Sequence, residues 1–316
     1  SVTPMMIEVN KVVKRYKELI ALDHFDFHVE EGEIVGLLGP NGSGKTTLIN
    51  CMLSLLKFDK GEIKIFGKPL APDDWESKSR IGIVPQELAY FEKLTVKENI
   101  DYFCGLYKKD KKERQRLTKE TIAFTGLDGY EGFLPRKLSG GLKRRLNIAC
   151  GISHRPELLF LDEPTVAVDA QSRNFILEGV ERMNQDGSTV VYTTHYLEEA
   201  EKICTRIVII DKGRNLVSGT KEELIGMIGT HEIIHIRLLQ NPGGIAEAFR
   251  ELPHILEVTE DPGEGEFVLK FEKGGDNLYE LMQLIRARAL SYSELYCERP
   301  SLNDVFLELT GKELRD

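Results

Sequence analysis

The segment that decides the fold reads GPNGSGKT and occupies residues 39–46. It follows the strand-like run EIVGLLG (33–39) and precedes KTTLINCMLSLL (45–56), in which apolar residues recur at helical spacing. The pattern GxxxxGKT between a strand and a helix is typical of a loop whose backbone N–H groups wrap a phosphate group. Lys45 is then placed for the β- and γ-phosphates of a nucleotide, and the Thr46 hydroxyl for Mg²⁺. The segment therefore predicts a phosphate-binding loop in an α/β fold.

A second apolar run, LLFLDEP (158–164), ends in two carboxylates. Proteins with α/β folds bind ligands at the carboxyl ends of their parallel strands. Asp162 suits the coordination shell of Mg²⁺, and Glu163 suits orienting or deprotonating a water molecule. A strand that ends in Asp-Glu is uninformative by itself, but together with the phosphate-binding loop it indicates a site that hydrolyses a nucleotide.

A third motif, LSGGLK (138–143), stands in front of a predicted helix. Ser139 is a favourable N-cap, and Gly140 and Gly141 leave room for a phosphate to approach free backbone N–H groups. An ordinary helix cap explains the same residues. Only the order of the three motifs along the chain favours a phosphate site here.

Strand-like and helical runs alternate over residues 158–211, which predicts an α/β fold with a parallel sheet. Between about 95 and 155 the pattern is mostly helical and polar, so we expect an all-α insertion there. Beyond residue 211 three glycines predict an exit rich in turns, and they are Gly213, Gly219 and Gly226.

Residues 231–316 are predicted to form a separate α+β unit with the element order β-α-β-β-α-β of ferredoxin-like domains. A last helix is predicted to begin after Ser301. The segment HEIIH (231–235) matches the HExxH pattern of zinc proteases, which requires a helix so that both histidines face one metal. Its adjacent isoleucines continue into IRLL and indicate a strand, on which residues four apart are about 13 Å apart. We therefore expect no zinc site.

The composition limits the possible compartments and partners. The 316 residues include 42 Lys and Arg against 51 Asp and Glu, a net charge of −9, which disfavours general nucleic-acid binding. The five scattered cysteines never show CxxC spacing, which argues against a disulfide framework and indicates a reducing compartment. No apolar run approaches the roughly 18 residues of a membrane span, and no signal-peptide pattern opens the sequence. We expect a cytoplasmic chain.

Together these motifs resemble the ATP-binding cassette (ABC) ATPases over about residues 7–225. LSGGL is similar to that family's LSGGQ signature. The resemblance implies that Tyr16 stacks on adenine and that Gln86, after the strand IGIVP, is the glutamine that ligates Mg²⁺ and water. It further implies that Asp169 is the aspartate of the D-loop and that His195, after VVYTT, contacts the γ-phosphate.

The resemblance also implies a fold and a full set of site residues. We expect a P-loop NTPase domain over 1–226 with a helical subdomain over about 88–156, and an accessory ferredoxin-like domain over 230–316. Catalysis is assigned to Glu163, His195 and Gln86, and the Mg²⁺ ligands are Thr46, Gln86 and Asp162. The expected ATP contacts are Tyr16, Gly39, Pro40, Asn41, Gly42, Ser43, Gly44, Lys45, Thr46, Thr47, Asp162, Ser139, Gly140, Gly141 and Asp169.

Two positions depart from the family pattern. Leu142 stands where the signature has Gln, and we expect a mild effect because Ser139 and the glycine amides bind the phosphate. The D-loop reads VAVD (166–169) instead of Ser-Gly-Leu-Asp. This change removes a hydroxyl and a glycine beside the dimer interface, and we expect it to alter coupling or rate.

The resemblance implies a head-to-tail homodimer or heterodimer, with each ATP between the phosphate loop of one subunit and the LSGG segment of the other. The stretch after Gln86 resembles the surface that faces a membrane permease. Its aromatic residues either form an apolar docking groove or pack in an ordinary core, and these are Tyr90, Phe91, Tyr102 and Phe103.

The C-terminal sequence indicates a subgroup of the family. SLNDVF (301–306) resembles the SLEDVF ending of bacterial exporter ATPases that serve ABC-2-type permeases, and PTVAVDAQSRNFILE (164–178) is similar to the linearmycin-resistance type. The resemblance implies a subunit at the inner face of the cell membrane that powers export of a drug, antibiotic or lipid-like compound. A soluble, nucleotide-dependent binding or regulatory module is the alternative. Ser139 follows Gln86 by only 53 positions, which leaves no room for the long coiled coil of the DNA-repair type.

Overall fold

The computed structural model describes residues 1–311 and 314. A first compact unit comprises Ser1–Lys221, and a second one begins at Glu222. The predicted accessory domain (230–316) also includes positions 312, 313, 315 and 316, which lie outside the described residues. Within the described ranges, no helix is both long enough and apolar enough to cross a lipid bilayer.

The elements of the first unit alternate between strands and helices along most of the chain. The strands are β1 (Met5–Tyr16), β2 (Leu19–Glu30), β3 (Ile34–Leu38), β4 (Lys60–Ile65), β5 (Ile81–Val84), β6 (Leu158–Asp162), β7 (Thr189–Thr194), β8 (Arg206–Asp211) and β9 (Arg214–Gly219). The helices are α1 (Lys45–Met52), α2 (Trp75–Ser79), α3 (Val96–Gly105), α4 (Lys111–Phe124), α5 (Gly140–Ile152), α6 (Ala170–Gln185) and α7 (Leu197–Ile203). Helix α8 (Lys221–Gly226) follows β9 and, apart from Lys221, belongs to the second unit.

The central sheet of the first unit has the strand order β5-β6-β7-β3-β8-β9. All neighbours are parallel except β8 and β9, which form an antiparallel pair. Every residue of β3, β6 and β7 is buried, because helices or a second sheet cover both faces of a parallel sheet of this kind. Since β6, β7 and β3 are consecutive, the segments that follow them meet at one edge of the sheet.

Two cores cover the two faces of this sheet. On one face, the antiparallel sheet β2-β1-β4 and helix α1 pack against residues such as Val35 and Leu37 of β3. On the other face, α5, α6 and α7 pack against residues such as Leu161 and Tyr192. The predicted α/β fold with a parallel sheet is confirmed.

Between β5 and β6 the chain forms the helices α3, α4 and α5, which have a core of their own that includes Ile100, Ile122 and Leu146. The predicted all-α insertion is therefore confirmed. Helix α3 begins with a capping box, in which the Thr95 side chain accepts from the Glu98 N–H and the Glu98 carboxylate accepts from the Thr95 N–H.

Two local predictions were wrong. The helix predicted over 45–56 ends at Met52, because the chain must turn toward β4, and Ser54 has a φ of 58°. Leu53 is buried all the same, so the apolar spacing reflects core packing beyond the helix end. The exit predicted to be rich in turns instead forms strand β9, which pairs with β8, and helix α8.

The second unit has the elements β10 (Glu232–Leu238), α9 (Ile245–Arg250), β11 (Ile255–Asp261), β12 (Glu266–Phe271), α10 (Asn277–Ala287), β13 (Tyr292–Glu298) and α11 (Leu302–Thr310). Its sheet has the order β11-β12-β10-β13, and all its neighbours are antiparallel. This is the predicted ferredoxin-like arrangement. Ser301 caps α11 as predicted.

The HExxH segment is extended as predicted, with residues 232–235 on strand β10. The His235 ring stacks on Tyr296 at 4.4 Å between centroids, and its Nε2 lies 2.8 Å from the Glu298 carboxylate. His231 precedes the strand and contacts Arg299. Each histidine thus has its own protein partner.

Candidate active site

A cleft of about 670 Å³ lies beside the phosphate-binding loop and the end of β6. Predicted site residues line most of it, and they are Tyr16, Asn41, Gly42, Gly44, Lys45, Thr46, Thr47, Gln86 and Glu163. Other lining residues were missed from sequence, and they are Leu19, Ile20, Ala21, Lys212 and Gly213. The turn between β8 and β9 reaches the cleft because β8 neighbours β3, which carries the loop. Only the strand order could have identified it.

The loop between β3 and α1 presents backbone donors to the cleft. The first helical hydrogen bond runs from the Leu48 N–H to the Gly44 carbonyl at 2.9 Å, so the N–H groups of Lys45, Thr46 and Thr47 precede the helical ladder. Ser43 Oγ is buried without a hydrogen-bond partner among the described residues. An anion bound at this helix N-terminus would satisfy these groups.

The ammonium group of Lys45 lies inside the loop. Its Nζ donates to the carbonyls of Gly39 at 2.5 Å and of Pro40 at 3.0 Å, and it lies 3.9 Å from Glu163 Oε1. Burial lowers the pKa of Lys45 below its usual value, although the negative charges of Glu163 and Asp162 oppose this shift. The loop thus holds a desolvated cation close to the Glu163 carboxylate.

The Asp162 carboxylate at the end of β6 is fixed by two hydroxyl groups. Thr46 Oγ1 donates to Oδ2 at 2.9 Å, and Thr193 Oγ1 donates to Oδ1 at 2.6 Å. Mg²⁺ prefers oxygen ligands at about 2.0–2.1 Å in octahedral geometry, which places adjacent ligand oxygens about 2.9 Å apart. The Thr46 and Asp162 oxygens therefore already have a separation that fits this ion.

Glu163 and His195 form a buried pair. His195 Nδ1 lies 2.5 Å from Glu163 Oε1, and both residues are less than a tenth exposed. Glu163 has a φ of 47°, in the left-handed region that non-glycine residues rarely adopt, and its N–H donates to Thr193 Oγ1 at 3.0 Å. Such a conformation persists only where surrounding contacts enforce it, and these residues concentrate at functional sites.

Gln86 lines the cleft from the segment after β5. The guanidinium of Arg144 on α5 donates to its backbone carbonyl. The Asn147 side chain donates to the Pro85 carbonyl at 3.0 Å and accepts from the Ala89 N–H at 2.9 Å. The segment that carries Gln86 is therefore attached to the helix that follows the LSGG motif.

Tyr16 lines the cleft at the end of β1, and its side chain is half exposed. The Lys14 ammonium lies 5.0 Å from the centroid of its ring. The ring is therefore available at the mouth of the cleft, in keeping with an adenine contact.

The LSGG motif and the D-loop aspartate do not line the cleft within this chain, although they lie close to each other. Ser139 Oγ accepts from the Leu142 N–H at 3.3 Å and caps α5, and Asp169 accepts from the Ser172 N–H at 2.7 Å and caps α6. A Cβ on Gly141 would lie 2.2 Å from Ser172 Oγ. The predicted site residues therefore fall into two groups. One lines the cleft or lies directly beside it, and the other lies where α5 and α6 begin.

The two adjacent glycines of the motif serve different needs. Gly141 is required by the close packing of α5 on α6, because a side chain there would overlap Ser172. A Cβ on Gly140 would meet only the Ala167 carbonyl, at 3.9 Å, and Gly140 is exposed. Packing inside this chain leaves Gly140 open, in keeping with a ligand contact outside the chain.

The two departures from the family pattern also have local explanations. Leu142 is partly buried and packs against the core of the helical insertion. Ala167 has a φ of 60°, and it stands where the pattern has glycine. The D-loop thus keeps a backbone conformation that suits glycine while carrying a Cβ there.

The aromatic residues after Gln86 divide between the core and the surface. Tyr90 is buried in the core of the helical insertion, which favours ordinary packing for this residue. Phe91 and Tyr102 are each almost half exposed, with ring centroids 4.9 Å apart, and Phe103 stacks on Phe91 at 5.7 Å. An exposed aromatic cluster therefore remains at this surface.

Two family profiles together match most of the chain. The ABC transporter profile matches residues 22–166, and the profile described as ATP-binding protein DrrA1-3-like, C-terminal domain, matches residues 219–310. The fold and the cleft define an ATPase of the P-loop class.

Relatives with known roles match the chain over its length. It is 37% identical to the linearmycin resistance ATP-binding protein LnrL of Bacillus subtilis (strain 168), over 98% of this chain and 100% of that protein. It is 34% identical to the Nod factor export ATP-binding protein I of Paraburkholderia xenovorans (strain LB400), over 98% of each. It is also 34% identical to the daunorubicin resistance ATP-binding protein DrrA2 of Streptomyces coeruleorubidus, over 96% of this chain and 95% of that protein. The chain belongs to the ATP-binding proteins of ABC transporters.

Solved structures of ABC cassettes share the fold of the first unit. The dimeric, post-hydrolysis state of the ATP-binding cassette MJ0796 bound to ADP and Pi superposes with a TM-score of 0.63 at 29% identity, over 68% of this chain and 98% of that one. The structure of the ATP-binding subunit of an ABC transporter superposes with a TM-score of 0.65 at 27% identity, over 70% of this chain and 92% of that one.

Proposed function

We propose that this chain binds Mg²⁺ and ATP in the cleft, dimerises around ATP, and powers a separate ABC-2-type membrane permease. The permease exports a drug, antibiotic or lipid-like compound, and the chain works in the cytoplasm at the inner face of the membrane. The cleft carries this proposal, because Lys45, Thr46 and Glu163 line it. Asp162 contacts Thr46 and His195 contacts Glu163, so both lie directly beside it.

The oxygens of Thr46 and Asp162, together with the Gln86 side chain, would hold Mg²⁺. When bound, the ion neutralises part of the charge on the phosphates. The buried donors of the loop fit the triphosphate of ATP. They include Lys45 Nζ and Ser43 Oγ, which has no hydrogen-bond partner among the described residues. The residues of this chain thus bind and orient the triphosphate.

Glu163 is the general base for hydrolysis. It accepts the proton of the attacking water on a carboxylate oxygen, while His195 orients that carboxylate through the 2.5 Å contact at Nδ1 and contacts the γ-phosphate. Gln86 positions the same water from the opposite segment. The Lys45 ammonium stabilises the negative charge that develops on the phosphate oxygens.

The second nucleotide-binding domain completes the site. The LSGG group of this chain lies outside its own cleft, and the open Cβ position at Gly140 leaves its backbone accessible. The related cassette MJ0796 is dimeric in its ADP- and Pi-bound state, which supports the same arrangement here. The γ-phosphate then joins the two domains, and its loss on hydrolysis separates them.

The permease docks on the exposed aromatic cluster of Phe91, Tyr102 and Phe103. Arg144 and Asn147 of α5 hold the segment of Gln86. A nucleotide-dependent movement of α5 or of that segment would therefore reach this cluster. Relatives named for linearmycin resistance, Nod factor export and daunorubicin resistance support export of a drug, antibiotic or lipid-like compound.

Replacing the general base tests the proposed hydrolysis directly. Glu163→Gln keeps the shape of the side chain but cannot accept the proton, so we expect ATP binding to persist and kcat to fall about 10²–10⁴-fold. Steady-state phosphate release and equilibrium binding of ATP measure the two quantities. Glu298→Gln is the matched control, because Glu298 also contacts a histidine but lies in the second unit. Turnover at the wild-type rate in Glu163→Gln would refute the assignment.

Copurification tests the docking surface. We expect the yield of coexpressed permease that copurifies with the double variant Phe91→Ala, Tyr102→Ala to be lower than with the wild type by a factor of about ten or more. The reason is that a few aromatic side chains carry most of the binding energy of an interface. Tyr279→Ala removes an exposed aromatic from the second unit and serves as the control. Unchanged recovery of the permease with the double variant would contradict docking at this cluster.

A further inference from the structure

A buried carboxylate behind the active site belongs to none of the motifs. Glu199 lies in the first turn of α7 and is 1% exposed. Its Oε2 accepts from the Tyr192 hydroxyl at 2.7 Å and from Thr194 Oγ1 at 3.2 Å. Its Oε1 accepts from the Thr165 hydroxyl and lies 3.5 Å from Arg173 Nε. Three hydroxyl donors and one guanidinium group therefore converge on one side chain.

Two of these donors belong to the loops that carry the proposed catalytic pair. Thr165 lies two residues after Glu163 and immediately before the D-loop, and Thr194 immediately precedes His195. Thr194 Oγ1 also accepts from the Tyr196 N–H at 2.8 Å, so the same hydroxyl spans the His195 position. One carboxylate thus ties the loop of Glu163 to the loop of His195.

Ring contacts extend this connection to the imidazole itself. The Arg173 guanidinium lies 4.7 Å from the centroid of the Tyr196 ring, and the Tyr196 ring lies 4.1 Å from that of His195. Arg173 is held in turn by Glu199. The chain of contacts therefore runs from Glu199 around His195.

A carboxylate is a costly way to fill a core. Burying it without donors is strongly unfavourable, and a buried ion pair is often no more stable than apolar residues of the same shape. The strained φ of 47° at Glu163, by contrast, needs contacts that enforce it. The directional bonds of Glu199 supply such contacts to the segment that follows Glu163.

We infer that Glu199 is a positioning residue for ATP hydrolysis, which sets Glu163 relative to His195 by holding Thr165 and Thr194. The inference rests on the roles proposed above for Glu163 and His195. Because Glu199 touches neither the phosphate-binding loop nor Tyr16 in any contact described above, it acts on the chemical step and leaves ATP affinity unchanged.

Removing one donor tests the inference without removing the charge. Thr165→Val keeps the size of the side chain and deletes its bond to Glu199, and we expect kcat to fall at least tenfold. We expect KM and the dissociation constant for ATP to stay within threefold. Thr125→Val is the matched control, since its buried hydroxyl donates to the Thr121 carbonyl in the helical insertion. It should lose similar thermal stability and keep kcat within twofold.

Removing the charge gives the larger effect. In the full-length protein, Glu199→Gln presents an amide to hydroxyl donors, and we expect kcat to fall at least thirtyfold with unchanged ATP affinity. Because this variant could also fail to fold, the two threonine variants carry the decision. Equal kcat losses in Thr165→Val and Thr125→Val, or no loss in either, would overturn the inference.

The test also separates this inference from the proposed function. If Glu163→Gln stops hydrolysis while Thr165→Val keeps the wild-type kcat, the positioning role of Glu199 fails and the general base stands. If Glu163→Gln turns over normally, the base assignment fails, and the positioning role that rests on it fails with it.

Discussion

The two units each contain a histidine that contacts a glutamate, and the two pairs differ in their surroundings. His195 and Glu163 lie 2.5 Å apart, and their side chains are 7% and 5% exposed. His235 and Glu298 lie 2.8 Å apart, and their side chains are 17% and 50% exposed. The first pair lies at the carboxyl end of a parallel sheet, beside a buried lysine. The second lies on an antiparallel sheet among ion pairs.

The difference lies in what the fold places around each pair. A parallel sheet is buried on both faces, so its polar groups collect at the strand ends, where they are desolvated and close to one another. The outer face of the antiparallel sheet meets water, which screens Arg237 and its neighbours Glu264, Glu266 and Glu294. The same two residue types therefore form a buried pair at the proposed reaction centre in one unit and a partly exposed surface contact in the other.

Deleting each imidazole is the strongest way to test this comparison. We expect His195→Ala to lower kcat about 10²–10³-fold, because it removes the group that orients Glu163. We expect His235→Ala to leave kcat within twofold. Steady-state ATP hydrolysis by the two variants measures both effects. A comparable loss in His235→Ala would show that the second unit takes part in hydrolysis.

The ion pairs of the two units offer a second, smaller contrast, which depends on pH. Burial pushes the pKa of Glu33 up, but the hydrogen bonds from Arg206 and from the Glu30 N–H, together with the charge of Arg206, outweigh it and lower the pKa overall. A lowered pKa stabilises the fold above the unfolded value of about 4.5, and this stabilisation disappears as the pH falls through the folded value.

We therefore expect Glu33→Gln to destabilise the first unit by about 1–2 kcal/mol at pH 7, and less as the pH falls below about 4.5. Glu257→Gln breaks the exposed pair with Lys270. It should lower the free energy of unfolding by about 0–0.5 kcal/mol, both at pH 7 and below about pH 4.5. Urea denaturation followed by circular dichroism measures these differences. A pH-independent loss in Glu33→Gln would contradict the assigned pKa direction.

The smallest expected effect concerns two alanines in the left-handed region, Ala167 in the D-loop with a φ of 60° and Ala289 after α10 with a φ of 51°. Glycine relieves the strain of about 1–2 kcal/mol but adds about 0.4–1 kcal/mol of entropy to the unfolded chain. We expect Ala167→Gly and Ala289→Gly each to stabilise its unit by about 0.5 kcal/mol. Thermal unfolding is the readout, with Trp75 fluorescence reporting on the first unit. Destabilisation by either change would show that its Cβ makes a favourable contact.

Local patterns were sufficient to predict the elements that surround the motifs. The strand, loop and helix around Lys45 could be predicted because glycine spacing and apolar periodicity act within a few residues. The ferredoxin-like order of the second unit could be predicted for the same reason. The end of α1 at Met52 could not, because apolar residues beyond it are buried by tertiary packing without being helical.

Local sequence patterns could not predict the features that depend on contacts between distant segments. Strand β9 could not be predicted because its stability comes from pairing with β8, and its half-buried residues lack a strong alternation. Lys212 lines the cleft only because β8 neighbours β3. The convergence of Thr165, Thr194 and Arg173 on Glu199 likewise depends on how β6, β7 and α6 are arranged, and no motif marks it.

The strand order of the central sheet also dictates when the site can exist during synthesis. Strands β6, β7 and β3 are consecutive, so their ends lie within about 10 Å, yet Lys45 and His195 are 195 − 45 = 150 residues apart. At roughly 5–20 residues per second, the phosphate-binding loop leaves the ribosome about 8–30 s before His195. During that interval the nascent chain has its phosphate-binding loop but lacks the proposed hydrolytic groups Glu163 and His195. ATP that binds to the loop at this stage would stay intact until β6 and β7 pair.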